Sequence, residues 1–67
     1  MNQIPPRANL TVAEIAAFLG VSDSTVYEAL HTGEIPWFKI KGQYRIPRDE
    51  FLERRAAQIR ASLALAD

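Results

Sequence analysis

Apolar and polar positions along this chain follow one period in its first half and another in its middle. From residue 10 onward the period is helical. Ile15, Phe18 and Leu19 mark one face of a short helix, and Ala16 and Ala17 keep it slim. Thr11 and Glu14 form the T-x-x-E capping box that opens this helix, with Leu10 as the staple residue before the cap. Gly20 stops it. Val21 is followed at once by Ser22, a second N-cap. Val26, Ala29 and Leu30 then predict a second helix running to about His31 and closed by Gly33. Two short helices joined by so brief a turn form a helix-turn-helix, and Ala16, four residues before Gly20, suits the close crossing. An ordinary helical hairpin in a small bundle would satisfy the same local spacing.

After Gly33 the period becomes two. Pro36 cannot sit inside a helix. Phe38, Ile40, Tyr44 and Ile46 alternate with Lys39, Lys41, Gln43 and Arg45 around a Lys41-Gly42 turn. This predicts a two-stranded hairpin with one apolar face and one basic face. A lone hairpin is marginal in water, so Phe38 and Ile46 are expected to pack on the helices, with Trp37 either anchoring the wing to the core or, if partly exposed, serving a protein interface. Pro47 ends the strand, and a last helix starts at Arg48 with Asp49 and Glu50 well placed for its N-terminal dipole. Phe51 and Leu52 are expected to dock on the domain. Beyond them Leu52, Ala56, Ile59, Leu63 and Ala66 repeat at heptad-like spacing. That stripe folds back on its own domain, frays, or offers a face for self-association. The reading is therefore mainly α with a small β-hairpin, a winged helix-turn-helix over residues 10–53. A flexible N-terminal arm (residues 1–9) precedes it, and a C-terminal helix extension (residues 54–67) follows.

With 67 residues and no cysteine, the chain has little room for an enclosed active site and must be stabilised by packing. It holds one histidine, no phosphate-binding glycine loop and no metal-ligand cluster. Ser22, Asp23 and His31 lie on one short helix and cannot converge as a catalytic triad does. A non-enzymatic protein without cofactor or metal is expected. No apolar run approaches the roughly 18 residues of a membrane span. The first ten residues lack a secretory layout. A soluble, cytoplasmic protein with no membrane partner is the corresponding expectation.

Formal net charge is zero, yet its distribution is uneven. Residues 1–37 carry Arg7 against Glu14, Asp23, Glu28 and Glu34. Residues 38–67 carry seven bases against four acids, and Lys39, Lys41, Arg45 and Arg48 fall together with no acid among them. Such asymmetry favours double-stranded DNA as partner. On the second helix, Ser22 is chiefly a cap, whereas Ser24 and Thr25 suit phosphate oxygens at a helix N-terminus. Tyr27 is either a core aromatic or a phosphate donor. Glu28 shares a face with Ser24; it is either a solvated acid or an acceptor for a cytosine amino group. His31 reads as a helix-end residue. In the hairpin, Lys39, Lys41, Gln43 and Arg45 are candidate DNA contacts, and Gly42 allows close approach to a groove. Outward lysines can also simply protect a sheet edge. Arg48 and Arg7 are candidate backbone contacts of lower rank. Four bases reaching phosphates would give a log–log salt slope of about −3 to −4. Because the second helix has acids and no Lys or Arg, affinity is expected from the wing and selectivity from the helix.

The pieces LTVAEIAAFLGVS, STVY, GEIP, K-x-G-x-Y-R-I and P-R-D-E-F, in that order over residues 10–53, closely resemble the excisionase-type DNA-binding domains, relatives of the N-terminal domains of MerR-type regulators. The resemblance implies a second helix in the major groove and a wing at the adjacent minor groove or its backbone. It also implies a recombination directionality factor in a bacterial host cytoplasm. Such a factor binds tandem sites, bends DNA and helps an integrase assemble the excisive complex. Other members are small transcription regulators. Family members often carry bases at the positions of Asp23 and Glu28, where this chain has acids. Those acids leave a third reading, a protein-interaction module that has lost DNA binding. The charge split itself suggests head-to-tail self-association on DNA, a negative helical half meeting the positive half of the next copy.

Overall fold

Thr11 and Glu14 satisfy each other's backbone where the first helix begins. Thr11 Oγ1 accepts from the Glu14 N–H at 3.1 Å, and Glu14 Oε1 accepts from the Thr11 N–H at 2.9 Å. This capping box starts α1 (Val12–Leu19) in a computed structural model that describes residues 3–65. The remaining elements are β1 (Asn9–Leu10), α2 (Asp23–His31), β2 (Phe38–Ile40), β3 (Gln43–Pro47) and α3 (Arg48–Leu65).

The turn between α1 and α2 is three residues long because each end is capped within it. Gly20 takes φ 74°, left-handed, and the N–H groups of Gly20 and Val21 both donate to Ala16 O at 2.9 and 3.0 Å. A side chain at Gly20 would strain that backbone. Ser22 Oγ then accepts from the Thr25 N–H at 3.2 Å and opens α2. Ala16 is buried between the crossing helices, as its size requires. Leu19, expected on the apolar face, and Val21 lie at its rim and are 37% and 41% exposed. They flank the turn, where the helices diverge.

The core is Leu10, Val12, Ile15, Ala16, Val26, Leu30, Ile35, Ile46 and Phe51, with Phe18, Ala29, Tyr44 and Leu52 packed against it. Burying a large aliphatic side chain contributes about 1.5–3 kcal/mol. Leu10 and Ile46, each wholly buried, face one another across β1 and β3.

The sheet has three strands in the order β1-β3-β2, all antiparallel. The wing hairpin was legible; its third strand was not. Asn9 and Leu10 pair with Pro47 and Ile46, and the Arg48 N–H donates to Ala8 O at 2.9 Å. Pro47 lacks an N–H but sits beyond the reach of β2, whose pairing with β3 ends at Arg45, so no ladder bond is lost. The stretch before residue 10 is therefore tied to the domain where the structure describes it. Arg48 Nε donates to Pro5 O at 3.0 Å, and Arg7 pairs with Glu14.

The hairpin faces differ from the alternation read along the chain. Partners across the strands are Phe38–Arg45, Lys39–Tyr44 and Ile40–Gln43. Directly paired residues share a face. A two-residue turn pairs residues three apart, so in-facing positions change from odd numbers on β2 to even numbers on β3. Lys39, Tyr44 and Ile46 consequently face the helices, while Phe38, Ile40, Gln43 and Arg45 face outward. Neither face is wholly basic or wholly apolar; Ile40 is 58% exposed.

The last helix docks through Phe51 and Leu52 as expected. Phe18 and Phe51 meet edge to face at 6.1 Å, and the Arg55 guanidinium lies over the Phe18 ring at 5.2 Å. Arg54 Nη1 donates to Gly33 O at 2.6 Å and Gln58 Nε2 to Glu34 O at 3.2 Å, tying α3 to the end of α2. Beyond Gln58 the helix does not fold back: Ile59 and Leu63 are 42% and 68% exposed. Ala66, the last position of the heptad-like stripe, lies outside the described residues.

Candidate nucleic-acid interface

The outward face of α2 is set by the inward one. Val26 and Leu30 point into the core, which turns Ser24 and Glu28 to the opposite side, one helical turn apart and both exposed. Neither the Ser24 hydroxyl nor the Glu28 carboxylate has a protein partner among the described residues. Ser22 and Thr25 are more occupied. Besides the capping bond, their hydroxyls lie 3.0 Å apart and hydrogen-bond to one another. Asp23 and Tyr27 lie on the flank of α2 that turns toward the wing, where both line a cavity shared with Gln43 and Arg45.

The wing tip is a tight turn of Lys41 and Gly42, both with positive φ, 49° and 77°. Two consecutive residues of that kind form a type I′ turn, whose twist suits a hairpin. Lys41 stands exposed on it and carries no ion pair among the described residues. Arg45 is half-buried and fixed: Nη2 donates to Gln43 Oε1 and Nη1 to Tyr44 O, each at 2.8 Å. Three of its five N–H groups remain for another acceptor. Lys39 is placed differently, its Nζ 4.7 Å from the centre of the Tyr44 ring on the inner side. Between the starts of α1 and α2 and the wing runs an open cavity of about 390 Å³, lined by Thr11, Ala13, Asp23, Tyr27, Gln43 and Arg45 among others.

The two lower-ranked bases serve the domain. Arg7 meets the Glu14 carboxylate, and Arg48 holds Pro5 O while lying 3.6 Å from Asp49. His31 Nδ1–H donates to Tyr27 O at 2.8 Å, as a helix-end residue does. Trp37 is the anchor expected of it, donating Nε1–H to Leu30 O at 2.9 Å. What the sequence reading missed is Tyr44, which meets the rings of Tyr27, His31 and Trp37. The one available signal was the i, i+4 spacing of Tyr27 and His31, which puts two rings on one side of α2.

These elements can present a helix face bearing a hydroxyl and a carboxylate beside a hairpin tip bearing two cations. Among the described residues no group of His, Cys, Asp and Glu could hold a metal ion, and no helix is long and apolar enough to cross a membrane.

Comparison with known proteins agrees with this geometry. Two relatives from Mycobacterium tuberculosis, one from strain CDC 1551 / Oshkosh and one from strain ATCC 25618 / H37Rv, are each 46% identical over 37 residues. Their names read "Putative DNA-binding protein MT0521" and "Putative DNA-binding protein Rv0500A". The match covers 55% of this chain and 47% of each relative, so the chain spans about half the length of the curated relatives it matches. No solved structure matches. The family described as "Helix-turn-helix domain" matches residues 10–58, from the last residue of β1 into α3, and the chain belongs to that family.

Proposed function

We propose that this chain binds double-stranded DNA in a sequence-specific way and acts as an excisionase-type recombination directionality factor. Its α2 would enter the major groove, with Ser24 and Glu28 toward base edges and the N-terminal hydroxyls toward phosphates. The wing would lie on the neighbouring backbone through Lys41 and Arg45, with Gly42 keeping the turn close. The observation that carries the reading is the pairing of an exposed, partner-free Ser24–Glu28 face with a wing tip that holds unpaired cation charge. Copies bound in tandem, head to tail, would bend the site and help an integrase assemble for excision, in a bacterial cytoplasm.

A neighbouring integrase gene, and a recombination assay with that integrase in the presence and absence of the chain, test the finer reading. Excision that depends on added chain supports it. Excision indifferent to the chain, together with specific DNA binding, leaves a small MerR-like transcription regulator. The relatives' names speak of DNA binding, which both readings share.

A further inference from the structure

Three rings and an ammonium group gather around Tyr44, at the place where α2 meets the wing. Tyr27 of α2 lies edge-on at 5.5 Å between ring centres and Trp37 at 5.2 Å, with His31 tilted at 6.3 Å. The Lys39 ammonium covers the Tyr44 ring at 4.7 Å. Tyr27 and His31 belong to the recognition helix; Trp37 and Lys39 belong to the incoming arm of the wing. The β3 backbone packs closely on α1 and α3. Between α2 and the wing, these side chains and the Trp37 bond to Leu30 O stand beside the buried core that Ile46 shares with Val26 and Leu30.

Edge-to-face rings prefer particular angles as well as distances, so a cluster of them fixes orientation better than an aliphatic contact does. Orientation matters because the two candidate DNA contacts sit on opposite sides of this junction. A helix face and a wing tip engage one duplex together only if their separation matches the groove spacing. Any freedom between them lowers the effective concentration of the second contact.

We propose that Tyr44 is the positioning residue of the interface, locking the wing to α2 so that Lys41 and Arg45 are held in register with the Ser24–Glu28 face. This rests on the DNA-binding reading above. Tyr44 itself touches no DNA in this arrangement; it acts through the elements it joins.

The test compares the wild-type chain with Tyr44→Phe and Tyr44→Leu on a duplex selected by the wild type from a random pool, over a range of salt. Tyr44→Phe keeps the ring and should bind with the wild-type salt slope. Tyr44→Leu keeps apolar bulk and loses the ring, so its slope should shallow by about 2, the share of Lys41 and Arg45, while its preferred sequence stays the same. An unchanged slope in folded Tyr44→Leu would overturn the proposal and leave DNA binding standing. Absence of binding by the wild type would overturn both. Should Tyr44→Leu fail to fold, residual dipolar couplings of the free wild-type chain decide. One alignment tensor for residues 23–31 and 37–47 supports the lock, and a need for two tensors overturns it.

Discussion

Lys39 and Tyr44 are directly opposed across β2 and β3, with the Lys39 ammonium over the Tyr44 ring at 4.7 Å. The opposition places Lys39 on the side of the sheet that faces the helices, apart from Arg45. Lys39 and Lys41 therefore do different work despite their spacing. Lys41→Met should shallow the salt slope of DNA binding by about 1. Lys39→Met should leave the slope unchanged and lower stability by about 0.5–1 kcal/mol, the worth of an exposed cation–ring contact. Equal slope losses in the two variants would show that Lys39 leaves the ring for the phosphates.

Gly42 closes the wing at φ 77°, and a Cβ built there meets no atom within 4 Å. Crowding is thus no obstacle to alanine, and the penalty is the backbone conformation itself. Gly42→Ala should destabilise the fold by about 1 kcal/mol, measured by urea unfolding. A change several times larger would mean that the tip packs against something not seen in the free chain.

Leu10 belongs to the domain and not to an arm, because it is wholly buried opposite Ile46. Leu10→Ala should cost about 2–5 kcal/mol, enough to threaten so small a fold. Urea unfolding against the wild type measures it, and a loss below about 1 kcal/mol would show that β1 detaches freely.

How much of this was legible depended on how local each feature is. The capping box of Thr11 and Glu14, the Ser22 cap, the glycine stop of α1 and the docking of Phe51 are all decided within a few residues, and each stands as its residue types imply. The strand at Asn9–Leu10 could not be read, since two residues have no period and their partners lie near residue 47. The wing faces were misread for a geometric reason. Alternation was carried straight through Lys41–Gly42, whereas a two-residue turn reverses which parity points inward. In the candidate site, the exposure of Ser24 and Glu28 follows from helical spacing alone. The placement of Arg7 on Glu14 and of Arg48 on Pro5 O depends on β1, and was hidden with it.

Glu28 stands on the outward face of α2 without a partner among the described residues. A carboxylate there repels phosphates and is compensated only where a base edge offers an N–H, as cytosine does. Glu28→Lys should bind DNA more tightly and discriminate less among sequences, compared by selection from a random pool. Unchanged discrimination would mean that Glu28 is only a solvated acid.

The division of labour between a wing that holds the backbone and a helix that selects the sequence meets its most direct test in one salt titration. The wild-type chain is titrated with salt on its selected duplex, and log affinity is plotted against log salt concentration. The expected slope is about −2, set by the two phosphates that Lys41 and Arg45 neutralise at the wing. A slope near zero, or no complex with any duplex at low salt, would contradict DNA binding through the wing and leave a protein-interaction module in its place.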